Sequence, residues 1–142
     1  KTALRAPLLV LIPELAESLV KTQDESGTWF QIMDMPTAAG NYREASASAM
    51  FTYFLAKAVN KGYLPDTYKA AAQKAYAGLV DEFVAVYADG SVHLTNICEV
   101  AGLGYGRDGS YRYYMSEPVV TDDPKGLAPA IMAGLQMSEL MQ

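Results

Sequence analysis

The residues with the clearest chemical potential are an acid, an aromatic–amide pair and a few cations. Glu44 stands directly before an almost wholly apolar stretch that begins Ala45-Ser46-Ala47-Ser48-Ala49-Met50-Phe51. A carboxylate at a helix N-terminus is favoured by the helix dipole and can accept hydrogen bonds from water or a sugar hydroxyl. The alternative is a buried structural acid bonded to backbone, such as the loops of the next hairpin. Trp29 offers a flat apolar face of the kind that stacks on a sugar ring, or else anchors the extended run around it. Gln31 falls on the same face at period two and shares both readings. Lys125, Arg107 and Arg112 are cations able to hold a carboxylate. Lys125 also lies at a helix start, whose free amides suit anions, whereas the arginines could instead brace a loop against Asp108 or Glu117.

The remaining polar residues carry less. His93 is the only histidine, so neither a catalytic triad nor a histidine-rich metal site is expected, and it reads as an exposed hairpin residue. Cys98 is the only cysteine, which rules out an internal disulfide and a cysteine-based metal site. Asp122 and Asp123 resemble an acid pair, but helix capping accounts for Asp123. Ser46 and Ser48 read as close-packing residues between helices, and the methionines as core fillers.

Helices must position most of these groups. From Leu4 to Glu25, Leu4, Leu8, Leu11, Ile12, Leu15 and Leu19 recur at helical spacing, with Glu14, Glu17, Ser18 and Lys21 on a wet face. Pro13 should kink this helix or start a second piece. An extended run, Thr28 to Ile32, and a loop through Pro36 and Gly40 follow. Arg43 to Lys61 is apolar around its whole circumference, so it must be buried on all sides or line a cavity. Tyr68 to Tyr87 is one-faced, with Lys69, Gln73, Lys74, Asp81 and Glu82 opposite the apolar side. Ser91–Leu94 and Ile97–Val100 could pair as short strands, with Asp89-Gly90 as a turn. A long glycine-rich, tyrosine-rich loop continues to Thr121. Asp123-Pro124 then opens a last helix, to about Met141, that is again apolar all round.

The order is therefore outer, inner, outer, inner. Such alternation predicts an all-α fold: a partial (α/α) toroid of about two helical hairpins, plus a short β-hairpin and a long loop. The chain has 142 residues, 51% hydrophobic and 19% charged, an apolar excess that expects neighbours. A net charge of −5 argues against nucleic acid as a partner. The apolar run Leu8–Ile12 stops at Pro13, too short for a membrane span.

Five motifs stand in a telling order: Gly27-Thr28-Trp29-Phe30-Gln31, then Asn41-Tyr42-Arg43-Glu44-Ala45-Ser46-Ala47-Ser48-Ala49-Met50, then Ala101-Gly102-Leu103-Gly104, Tyr111-Arg112-Tyr113-Tyr114 and Asp122-Asp123-Pro124-Lys125-Gly126. Together they resemble the C-terminal part of glycoside hydrolase family 105, the unsaturated rhamnogalacturonyl hydrolases, over almost the whole chain. The resemblance implies that residues 1–142 are the C-terminal part of an (α/α)6 barrel domain. It implies removal of a 4,5-unsaturated uronic acid from oligosaccharides left by a polysaccharide lyase, of the pectin or rhamnogalacturonan type. In that family an aspartic acid protonates C4 of the double bond, water adds at C5, and the hemiketal collapses to release the sugar. No metal or organic cofactor takes part, and the setting is the bacterial periplasm or cytoplasm.

The family's catalytic aspartate lies upstream of the Gly-Thr-Trp region, and nothing from Lys1 to Glu25 matches its motif. No catalytic residue is therefore expected in this chain, which reads as a fragment without activity alone. The expected substrate-binding residues are Trp29, Gln31, Glu44, Arg107 and Lys125. The expected partners are an anionic oligosaccharide in the intact parent, and either a missing N-terminal half or a second copy covering the apolar face. Two alternatives stay open: a fragment of an unsaturated glucuronyl hydrolase, and a non-catalytic interaction module that uses that face. An isoprenoid or lipid enzyme on another toroid lacks any acidic metal-binding motif here.

Overall fold

The structure, a computed structural model, describes residues 2–142, with side chains from Arg5 onward. The expected apolar position at Leu4 lies outside the described side chains. Helix α1 spans Thr2–Thr22 and continues through Pro7 and Pro13, so no second piece begins at Pro13. Among the described side chains of α1 only Ala16 and Leu19 are fully buried, while Leu8, Leu11 and Leu15 stay exposed.

The chain then turns tightly at Gly27, whose φ of +94° is natural only for glycine. This turn lies against α3, Lys69–Phe83, with no room to spare. A Cβ on Gly27 would meet the Lys74 carbonyl oxygen at 2.2 Å, and one on Gly78 would meet that of Ser26 at 2.1 Å. The expected extended run follows, paired with the chain just before α2. Phe30 bridges Arg43, and the Gln31 amide donates to the Tyr42 carbonyl at 2.8 Å. Arg43 ties this pair to its surroundings through Asp24 at 2.7 Å and Glu82 at 3.3 Å.

Helix α2, Ala45–Asn60, forms the centre, packed against α3 and against α5, Pro124–Leu140. Small residues allow the close approach: Ala45, Ser48, Ala49, Thr52, Ala56 and Ala58 are buried on α2, and Gly126 and Ala133 on α5. The Asn60 side chain donates to the Gln136 carbonyl at 2.9 Å, fixing the far end of the pair. Neither helix is buried on all sides. On α2 only Met50 and Lys57 are exposed, so that helix is nearly enclosed, whereas α5 shows an open flank with Ile131, Met132 and Leu135. Helix α3 is one-faced as expected, burying Ala72, Ala75, Leu79 and Phe83.

The short strands pair otherwise than the local pattern predicts. Helix α3 ends at Phe83, and Val84–Val86 forms strand β1 against β2, Val92–Leu94, around the Asp89-Gly90 turn. Strand β3, Ile97–Cys98, pairs with β4, Val119–Val120, across the long loop. β-Branched valines favour the extended state at 84–86. Between β2 and β3 the Asn96 backbone is left-handed, and the chain turns a corner there: the Thr95 amide bonds to Phe83 and the Asn96 carbonyl takes the Ala45 amide. That corner removes the option of pairing β2 with β3. A four-residue helix α4, Tyr111–Tyr114, sits inside the loop, capped by Ser110.

Candidate functional site

Residues at the N-terminal ends of α2 and α5 line a common cleft. Its volume is about 270 Å³, and its walls are Gln31, Glu44, Ser46, Ala47, Cys98, Val100, Ala101 and Lys125. The elements arrive by different routes: Gln31 from the extended run, Glu44 to Ala47 from the start of α2, Cys98 to Ala101 from β3 and its exit, and Lys125 from the first turn of α5. A helix N-terminus carries partial positive charge, and here each one is met by its own capping carboxylate, Glu44 on α2 and Asp123 on α5.

Glu44 is only 2% exposed and its carboxylate is fully occupied. Oε2 accepts from the Ala47 amide at 2.6 Å, closing the first turn of α2. Oε1 accepts from the Cys98 amide at 2.9 Å, and the Ser46 hydroxyl donates to both oxygens. Glu44 is thus the joint between α2 and β3, and forms cleft wall through its structural role. Gln31 is half-buried and its side-chain amide reaches the Cys98 sulfur at 3.5 Å. Burial raises the Cys98 thiol above its ordinary pKa, with the nearby carboxylate of Glu44 adding to it. The Tyr42 hydroxyl, just behind, is buried without a hydrogen-bond partner among the described residues, and burial holds it protonated well above the usual phenol range.

Lys125 presents the cleft's cation. Its side chain is half exposed, and Nζ lies 2.6 Å from Oδ2 of Asp123. The other oxygen of Asp123 accepts the Lys125 amide at 2.8 Å, which makes Asp123 the N-cap of α5, as its sequence position predicts. These Lys125 bonds hold the Asp123 carboxyl below the ordinary carboxylate range.

The other expected site residues lie elsewhere. Trp29 is 0% exposed; its indole N–H donates to the Leu19 carbonyl at 2.8 Å and its ring meets Phe51 edge-on at 5.3 Å. No face of it is free for a sugar, so its position corrects the stacking reading in favour of the anchoring one. Arg107 sits in the long loop beside Glu117, Nε to Oε1 4.0 Å, which is the bracing arrangement. Its guanidinium nevertheless lies close to Gly102, the neighbour of cleft residue Ala101. Arg112, on α4, lines a separate wet depression of about 500 Å³ with Gly106, Asp108, Ser110, Tyr113 and Ser116.

His93 is the clearest departure. It was expected to be merely exposed, yet its Nδ1 lies 2.6 Å from Asp122 and its Nε2 2.8 Å from Ser91. A serine, a histidine and an aspartate are therefore aligned after all, because the β1–β2 turn folds back on the entry to α5. Cys98, Val100 and Ala101 as cleft walls had no sequence signal of their own, since only the long-range β3 packing brings them to Glu44.

A curved layer of paired helices, with a small polar cleft where inner helices begin, is the architecture of part of an α/α toroid. The comparisons agree. The Glycosyl Hydrolase Family 88 profile matches residues 1–141, and the chain belongs to that family. A family 105 glycoside hydrolase of C. acetobutylicum ATCC 824 superposes with a TM-score of 0.89 at 43% identity, over 93% of this chain and 38% of that one. A possible family 105 member from Salmonella enterica gives 0.78 at 31% identity, over 98% and 33%. A curated protein of Agrobacterium fabrum and the "24.9 kDa protein in picA locus" of Rhizobium radiobacter are each 42% identical over 128 residues. The chain spans 54% of those relatives' length, about half.

Proposed function

We propose that this chain supplies part of the substrate cleft of a glycosidase that removes 4,5-unsaturated uronic acid from lyase-generated oligosaccharides by hydrating the sugar's double bond. The observation that carries the reading is the convergence of Lys125 and Gln31, from two distant segments, on one small cleft. A uronate needs a cation and amide donors for its carboxylate, and hydrogen-bonding side chains for its hydroxyls. Lys125 supplies the charge, Gln31 the amide, and Arg107 a second cation near the rim. Glu44 holds the wall in place.

Binding is the role proposed for these residues, and protonation is not. The one carboxylate in the cleft wall has both oxygens engaged by backbone amides and Ser46. In this reading the proton donor is supplied from outside these residues. Whether the sugar is a rhamnogalacturonan or a glucuronyl unit depends on groups beyond the cleft.

The test is a titration with an unsaturated uronyl disaccharide, followed by calorimetry and by the ultraviolet band of the double bond. Binding that requires the carboxylate, with the band unchanged on standing, supports the reading. Equal affinity for the uncharged sugar overturns the binding role, and loss of the band overturns the claim about the donor.

A second reading, an interaction module, is favoured by the exposed apolar flanks at Leu8, Leu11 and Leu15 on α1 and at Ile131 and Leu135 on α5. Sedimentation of a clean monomer at high concentration overturns it.

A further inference from the structure

Outside the cleft, four polar side chains form an unbroken line of hydrogen bonds from the β1–β2 turn to the start of α5. Ser91 Oγ lies 2.6 Å from Oδ1 of Asp89 and 2.8 Å from Nε2 of His93. His93 Nδ1 lies 2.6 Å from Oδ2 of Asp122. A carboxylate only accepts, and a serine hydroxyl has a single hydrogen to donate. At 2.6 Å that hydrogen is committed to Asp89, a length typical of charge-assisted bonds. Ser91 Oγ is then an acceptor toward the imidazole, and Asp122 is an acceptor at the other nitrogen. Both ring nitrogens donate, so the ring carries a positive charge.

The groups facing this ring come from three places among the described residues. Asp89 and Ser91 stand on the turn, Asp122 on the segment before α5, and the Tyr87 ring lies 4.3 Å from the imidazole at the end of β1. The nearby ammonium of Lys125 is engaged with Asp123 instead. Asp122 is held in an unusual backbone state, φ +60°, which costs free energy for a residue other than glycine. Three bonds grip it there: its amide to the Leu94 carbonyl, Oδ1 from the Leu94 amide, and Oδ2 from His93. The next residue, Asp123, is the cap of α5 and the partner of Lys125.

We propose that His93 is a positioning residue for the cleft: its charged ring holds Asp122 in the left-handed turn and so sets how α5, with Lys125 on its first turn, enters the site. The value of Lys125 as a ligand for a sugar carboxylate rests on the function proposed above; the clamp itself does not. The sign follows from the chemistry. The clamp is strongest while both ring nitrogens carry a proton; a ring with one proton can still donate from Nδ1 to Asp122, but without the charge that strengthens the bond.

The test is an NMR pH titration of the full chain with nitrogen-15 label, reading the His93 ring nitrogens together with the Leu94, Asp122 and Lys125 amides. The expected result is a ring with both nitrogens protonated at low pH, and a Lys125 amide that shifts with the ring's own midpoint. His93→Gln removes that shared transition. Ser91→Ala, on the exposed turn and harmless to the core, moves the midpoint to lower pH by deleting one acceptor. A Lys125 amide that stays flat through the ring's titration overturns the proposal, as does a ring that keeps a single proton throughout. A parallel titration with unsaturated uronyl disaccharide separates the two claims. Affinity that weakens several-fold across the same midpoint supports both, whereas no binding at any pH with the amide transition intact sinks the proposed function and leaves the clamp standing.

Discussion

At the scale of single residues, Glu44, Trp29 and Lys125 divide the work between holding the site and offering it. Replacing Glu44 by Ala removes the α2 cap and orphans the buried Cys98 amide. A lost cap costs about 1 kcal/mol and a buried unsatisfied donor about 1–3 kcal/mol, so denaturant melts should show roughly 2–4 kcal/mol of destabilisation. Glu44→Gln keeps an acceptor and should lose less. Trp29→Phe keeps much of the packing yet strands the Leu19 carbonyl; chemical denaturation should register about 1–3 kcal/mol, with uronate affinity unchanged in calorimetry. Lys125→Met should do the opposite. Its stem still covers the first turn of α5, so stability holds, while affinity for a uronate falls about three- to tenfold because the half-exposed charge is partly screened. A Lys125→Met protein that binds the uronate as well as its parent would remove the cation from the proposed cleft.

At the scale of elements, contacts with no slack decide how closely neighbours approach. The Ser26–Gly27 turn and α3 touch backbone to backbone at Gly27 and Gly78, so Gly78→Ala must push two elements apart. Overpacking of this kind costs about 1–3 kcal/mol, and a rigid backbone partner puts this site at the upper end, readable as a lower melting temperature. Gly126→Ala meets side chains in place of backbone, Ile97 Cδ1 at 2.6 Å and Cγ1 at 2.8 Å, but Ile97 is fully buried, so overpacking of about 1–3 kcal/mol is expected here too. The junction of the β1–β2 hairpin with α5 is also acid-sensitive. Hydrogen bonds from His93 and Leu94 hold Asp122 below the ordinary carboxylate range, and Lys125 does the same for Asp123. A depressed folded-state pKa means stability that is present above the unfolded value and is lost as pH falls through the folded one. Melting temperature should therefore drop on acidification below about pH 4, the usual aspartate range. Asp122→Asn should blunt that drop, and an unchanged acid profile in the variant would show that the junction does not respond.

At the scale of the whole molecule, the two uncovered flanks dominate. Leu8, Leu11 and Leu15 on α1 and Ile131 and Leu135 on α5 are large apolar side chains with 46% to 66% exposure. Contiguous apolar surface of this kind marks a face made for another protein surface. Leu11→Glu with Leu15→Glu should reduce binding of a hydrophobic dye and self-association in sedimentation, with little change in melting temperature, because neither side chain is buried in this chain. Among the described residues no helix is long and apolar enough to cross a membrane.

How much of this was legible beforehand follows from the range of the interactions. Helices, caps and turns are set within a few residues, so the periodicity of α2, α3 and α5, the Asp123-Pro124 start and the Asp89-Gly90 turn could be read directly. The ordered motifs, from Gly27-Thr28-Trp29 to Asp122-Asp123-Pro124-Lys125, carried the family. What only the tertiary structure decided are the pairings between distant segments. Trp29 became core because the Leu19 carbonyl and Phe51 close on it. Glu44 became a joint because β3 lies across the start of α2, 54 positions away along the chain. Strand β2 chose β1, and His93 found Asp122, because a left-handed corner at Asn96 turns the chain there. Local sequence states which groups can bond; the packing of distant helices determines which of them meet.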